Sequence, residues 1–247
     1  VFRSGELSGL TDVDVERVSG LEIRTVVNFL TEEEIDLHGV DRVPEGTRLL
    51  LLPITGGIAG ELALTIQKAT LTADFSKVPV DLNPEIHRLL IREAREEYAQ
   101  LLRKIADPVN RPLVFHCSHG IHRTGTATAI LLSALGVPWE TVREDYLLSN
   151  ECREEEVDRR LAELRAQAAR NQDISPDEVD MRNMNAFYRL EGDYIDASLD
   201  EVIQEFGSMD AFLREGLGLT DDELMRLRDT MLENGANSDG NAESGES

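Results

Sequence analysis

The sequence predicts an α/β fold: a mostly parallel central sheet flanked by helices, with extra helices toward the C-terminus. Three observations carry this. Runs rich in β-branched and aliphatic residues stand at 23–29, 47–54 and 111–117, bounded by Gly or Pro signals. Amphipathic segments separate the runs, and alternation of that kind builds a parallel sheet. Beyond residue 123 the periodicity is helical almost throughout.

Taken in order, Thr11 is an N-cap for a short amphipathic helix ending near Ser19. The run "IRTVVNF" (23–29) is a buried strand. "TEEEIDLHG" opens on a Thr cap and an acidic first turn and stops at Gly39, a short helix. "TRLLLLPI" (47–54) is a second buried strand, ending at Pro53. The stretch 55–82 is ambiguous, with 60–73 helical in pattern and "DFSKVPVDLN" reading as loop. Asn83-Pro84 is a cap followed by Pro at the first helical position, starting a long helix to about Ala106. "RPLVFHC" (111–117) is a third strand. Helices then follow over 123–135, 138–150 and 151–170, the last broken at "NQDISP". From Asp177 to Glu233 the pattern is helical, with stops at Gly207 and at 216–218. One domain is expected over 1–234, and the polar Gly/Ser-rich end, 235–247, is expected to be disordered.

The chain has 247 residues and 41% hydrophobic content, enough for a sizeable core. Its 48 acidic residues outweigh 25 basic ones, a net charge of -23, which argues against nucleic acid or anionic membrane as a bulk-charge partner. No apolar run is long enough for a stable membrane span. Cys117 and Cys152 are the two cysteines, too few for a disulfide framework. The chain starts at Val1 without Met, so a leader could precede it; cytoplasmic and secreted locations both stay open, as does oligomeric state.

The chemistry concentrates in "VFHCSHGIHRTGTA" (114–127). A strand runs into a loop, and the loop into a helix N-terminus. Such a junction aims backbone N–H groups and the positive end of a helix dipole at one spot, which suits an anion. Cys117 opens the loop and Arg123 closes it, five residues apart. A thiol aimed at such amides ionises readily. Arg123 offers a planar fork matched to two phosphate oxygens. Gly120 allows the tight turn, and the Thr124 hydroxyl falls near the sulfur. The implied reaction is attack of the Cys117 thiolate on phosphorus, with Ser118, His119, Gly120, Ile121, His122 and Arg123 holding the equatorial oxygens. It needs no metal or other cofactor. The competing reading is a zinc site from His116, Cys117, His119 and His122; a loop feeding a helix N-terminus disfavours a cation.

"HCSHGIHRTG" fits Cys-x5-Arg-[Ser/Thr]-Gly and resembles the signature of the protein tyrosine phosphatase superfamily. "FRSGELSGLTDVDVERVSGLEIRTVVNFLTEEE" and "YIDASLDEVIQEFGSMDAFLREGLGLTDDELMRLR" resemble a bacterial branch with mycobacterial and listerial tyrosine and lipid phosphatases. The resemblance implies a phosphatase-like fold, a phosphocysteine intermediate, and phosphorylated proteins or small phosphomonoesters as substrates, phosphotyrosine first. It also implies that His116 supports the loop from the strand end. The alternatives are an inositol polyphosphate or phosphoinositide phosphatase, and a phosphate-binding module without turnover. The branch usually has Ala, Lys and Asp where this chain has His119, Ile121 and His122, so the branch's loop acid is missing. Candidates for the proton donor are His122, then Asp81, then Asp74. Arg3 reaches either the site or a surface partner. Residues 151–190 interrupt the resembling stretches and are expected to form a helical lid.

Overall fold

The computed structural model describes residues 1–54, 65–66 and 68–232. Four strands form an all-parallel sheet in the order β1-β4-β2-β3: β1 Phe2–Ser4, β2 Thr25–Asn28, β3 Arg48–Leu51 and β4 Leu113–His116. The three expected strands are present, each trimmed at its ends, but β3 is not the buried strand expected: it lies at the sheet edge, with Leu49 and Leu51 exposed. β1 is added; at three residues on a sheet edge it is too short to show a period.

Alternation along the central strands buries both faces. Val26 pairs with Val114 in register, and both pack with Leu7 and Ile23 near α1 (Asp12–Ser19). Val27 pairs with Phe115, and these face a larger core with Phe29, Leu101, Leu102, Ile105 and Ile130. That core belongs to α4 (Arg95–Ala106) and α5 (Arg123–Ala134), and α10 (Asp221–Met231) closes it through Leu224 and Leu227. A parallel sheet covered on both faces needs continuous apolar strands, and β2 and β4 are buried throughout.

The caps of α1 and α2 (Glu32–His38) are full capping boxes, Thr11 with Asp14 and Thr31 with Glu34. The long helix expected to reach Ala106 is two. α3 (Leu82–Glu93) stops at Ala94, and the Ile91 carbonyl accepts from Arg95 Nε at 3.1 Å. Asn83 is not the cap and Pro84 not the first helical residue: the helix begins at Leu82, which makes Pro84 its third residue, and Asn83 is buried in the first turn with its side chain spent on tertiary hydrogen bonds. Tertiary demand overrides capping preference here.

In the 60–73 stretch, residues 65–66 and 68–72 are helical, while 60–64 and 67 lie outside the described residues, as does the expected tail. α6 (Trp139–Cys152), α7 (Glu154–Gln172) and α8 (Arg182–Tyr188) follow, with the turn 173–181 at the expected break. Leu161 and Leu164 of α7 and Met184 and Phe187 of α8 share a second core with Phe75, Val78 and Leu82. α9 (Gly192–Phe206) packs along α3, and Arg92 grips the buried Glu201 through two hydrogen bonds of 2.6 and 2.7 Å. α9 stops where expected, at Gly207, whose φ of 79° favours glycine.

Candidate active site

β4 and β2 are neighbours in the sheet, and their carboxyl ends open side by side, the usual ligand crevice of such sheets. From β4 the chain makes the loop 117–122 and enters α5 at Arg123. Among the described residues, none of the backbone N–H groups of Ser118 to Arg123 donates to a protein acceptor. Six successive free donors at a helix N-terminus form a nest for an anion. Gly120 has φ of 70°, and a Cβ there would meet the Ser4 carbonyl oxygen at 2.7 Å. The loop thus lies directly on the backbone after β1, and Glu6 N–H donates to the Ser118 carbonyl at 3.0 Å.

Cys117 sits at the loop's start, 3% exposed, and the Thr124 hydroxyl donates to its sulfur at 3.2 Å. His116 is fully buried; Nδ1 faces the Cys117 carbonyl at 3.2 Å and Nε2 the Asp41 carboxylate at 3.1 Å. Burial pushes Asp41 up, yet the bonds from His116 and Asn28 outweigh it and hold Asp41 below its usual value.

Arg123 makes the most informative contacts. Nη1 donates to the Phe29 carbonyl (3.1 Å) and Glu34 Oε2 (2.7 Å), and Nη2 donates to Glu34 Oε1 (2.5 Å). A guanidinium has five N–H donors. Three are used, which leaves Nε–H and one Nη2–H, adjacent on one edge, for two oxygens of an incoming anion. Burial works against the charge of Arg123, but Glu34 and Cys117 prevail and raise its value. Glu34 Oε2 also accepts from Thr31 N–H at 2.9 Å, so one carboxylate closes the cap of α2 and aims Arg123. Tyr98 donates to the Arg123 carbonyl at 3.2 Å.

The expected phosphate-binding residues therefore share one loop, but its histidines diverge. His119 is exposed and meets Ser118 Oγ at 2.9 Å. His122 Nε2 faces Asn83 Oδ1 at 2.9 Å, with its ring against His87 and Phe187. Asn83 Nδ2 donates to the Ala186 carbonyl at 2.7 Å, so its oxygen is left to accept from His122. Burial, then the neighbouring His87, lowers His122 well below the usual histidine value. His87 is itself buried between Thr126 Oγ1 (2.9 Å) and Tyr146 Oη (3.0 Å), and burial pushes it down to about 3. No cluster of three or more His, Cys, Asp or Glu among the described residues could hold a metal ion.

Asp81 is exposed just ahead of α3, two residues before Asn83, and makes no capping hydrogen bond. Asp74 is exposed and accepts from the N–H and hydroxyl of Ser76, which lower it. Arg3 pairs with Asp145 of α6, donating to its carbonyl at 2.7 Å. Cys152 is exposed at the end of α6. Glu34, Asp41, Asn83 and His87 escaped sequence reasoning. "TEEE" pointed to a cap at Thr31, and nothing local shows that Glu34 also turns toward a loop 89 residues away.

Comparison with known proteins agrees with this geometry. The chain is 27% identical over 252 residues to the triple specificity protein phosphatase PtpB of Mycobacterium tuberculosis, covering 94% of this chain and 90% of that protein. A Cupriavidus necator protein that carries a tyrosine-protein phosphatase name is 26% identical, across 88% of this chain and 74% of its own length. A tyrosine-protein phosphatase of Nostoc commune is 24% identical over 147 residues, 60% of this chain and 47% of that one. The model of the tyrosine phosphatase family matches residues 1–233, and with a cysteine set in a loop of free amides closed by an arginine, the chain belongs to that family of cysteine-dependent phosphatases.

Proposed function

We propose that the protein is a protein-tyrosine phosphatase in which Cys117 attacks the phosphorus of a phosphotyrosyl substrate. The observation that carries this is the nest of six free N–H groups between Cys117 and the free edge of Arg123. Three non-bridging phosphoryl oxygens need donors on all sides as charge spreads in the transition state. The amides and Arg123 supply them. The S–P bond forms as the bond to the phenolic oxygen breaks. Water then attacks the phosphocysteine, releasing inorganic phosphate and the thiolate. The Thr124 hydroxyl, at 3.2 Å from sulfur, stabilises the thiolate as leaving group.

The departing phenolate needs a proton. His122 is a poor source, since its Nε2 proton is directed to Asn83 and its charged form is disfavoured. Asp74 is held by Ser76. The Asp81 carboxylate makes no hydrogen bond among the described residues and stands just ahead of the helix that reaches the loop through Asn83, and we assign the acid role to it. α7 and α8 act as a cover: Phe187 of α8 lies against His122 of the loop, ring centroids 6.0 Å apart. Hydrolysis of phosphoinositides is the second reading, which the resemblance to a branch with lipid phosphatases implies.

The test is the pair Cys117→Ser and Arg123→Ala. The first should abolish turnover of a phosphotyrosine peptide yet still bind vanadate, and the second should lose both. Near-normal turnover by Cys117→Ser would sink the mechanism.

A further inference from the structure

Arg153 stands at the junction of α6 and α7, with a side chain only 12% exposed. It makes no side-chain hydrogen bond among the described residues. Its one ion-pair partner, Glu156, is 3.9 Å away, beyond hydrogen-bond distance, and 58% exposed. Its stem is buried while its guanidinium nitrogens keep access to solvent, so the fork is held in place with no protein acceptor on it. A fork positioned in this way is free to take two oxygens of an anion from outside the chain.

Its position indicates that partner. Val157, one turn along α7, belongs to the same core as Phe187, and Phe187 touches His122 of the phosphate loop. The charge of Arg153 is felt at His119 and His122 of the loop and at Tyr146. The loop's own cation, Arg123, has one free edge, enough for a single phosphate. A second oxyanion beside that phosphate needs a second fork.

We propose that Arg153 binds a second anionic group carried by the substrate, a carboxylate or a phosphate, next to the phosphate seated in the loop. Glu156 swings into solvent when that group arrives. Arg153 is thus a specificity-determining residue, and the inference rests on the phosphatase reading above. Bulk charge cannot mimic it: a chain of net charge -23 repels acidic substrates at long range, so a preference for them must be local.

The experiment uses three phosphotyrosine peptides, identical except that Gln, Glu or phosphoserine flanks the phosphotyrosine. Wild type should favour the Glu and phosphoserine peptides over the Gln peptide by about fivefold or more in kcat/KM, mostly through KM. Arg153→Gln should bring that ratio close to one, and Arg153→Lys should restore part of it. A preference for phosphoserine alone identifies phosphate as the second anion; a preference for both assigns oxyanions in general. Equal turnover of the three peptides by wild type overturns the inference. So does a ratio that survives in Arg153→Gln, including the case in which all three rates fall in parallel through damage to the fold. No turnover of any peptide by wild type overturns the phosphatase reading as well.

Discussion

At the scale of single residues, the site divides into groups that react and groups that aim them. That Cys117 and Arg123 share one loop was legible from their spacing, after a strand and at a helix start, and that spacing motivates the roles proposed for them. Their supports were not. Glu34 and Asp41 reach the site across the fold, and a carboxylate's distant partner leaves no trace in local sequence. The acid shows the same limit from the other side. His122 fills the sequence position of the branch's acid, yet the fold directs its Nε2 to Asn83. Asp81→Asn is therefore expected to slow esters with poor leaving groups by on the order of 100-fold. An ester with a strongly acidic leaving group, which departs without a proton, should slow much less. Equal slowing of both would remove Asp81 from the role. If His122→Ala instead gives the graded pattern, the donor is in the loop after all.

At the scale of elements, α2 shows how a local rule becomes a catalytic one. Thr31 and Glu34 form a capping box, and the carboxylate that closes the box also holds Arg123. The start of α2 and the placing of Arg123, the proposed phosphate clamp, are set by one side chain. The caps, the Gly207 stop and the core strands follow local rules and could be read from the sequence. The break at Ala94 could not, because no Pro or Gly marks it and the freed Ile91 carbonyl is satisfied by Arg95. The pair α7–α8 bears on access. Their shared core holds them to residues 75–82, and between them runs an exposed turn. Hydrogen exchange should find α7 and α8 opening more readily than α5, and slowing when vanadate fills the loop. Unchanged exchange with and without vanadate would mean that these helices do not act as a cover.

At the scale of the whole molecule, the buried polar cluster under the loop ties stability to pH. His87 joins α3 to Thr126 of α5 and Tyr146 of α6. Burial holds it at about 3 in the fold, far below the ordinary histidine value of 6.5. The unfolded chain then binds the extra proton between those values, so stability from His87 is complete above 6.5 and is lost as pH falls toward 3. From pH 7 to pH 5 its share of the loss is ~2 kcal/mol. Urea unfolding at the two pH values should show a smaller drop for His87→Gln than for wild type; an equal drop would place the pH dependence elsewhere. The sheet, its two cores and the loop all converge on one claim, that phosphoryl transfer passes through sulfur. The direct measurement is acid quench of wild-type protein during turnover of a phosphotyrosine peptide, followed by mass spectrometry of its peptides. The account predicts a phosphoryl group on the Cys117 peptide, absent from Cys117→Ser. Steady turnover with no phosphoryl group on that peptide, or the group found on another residue, would contradict it.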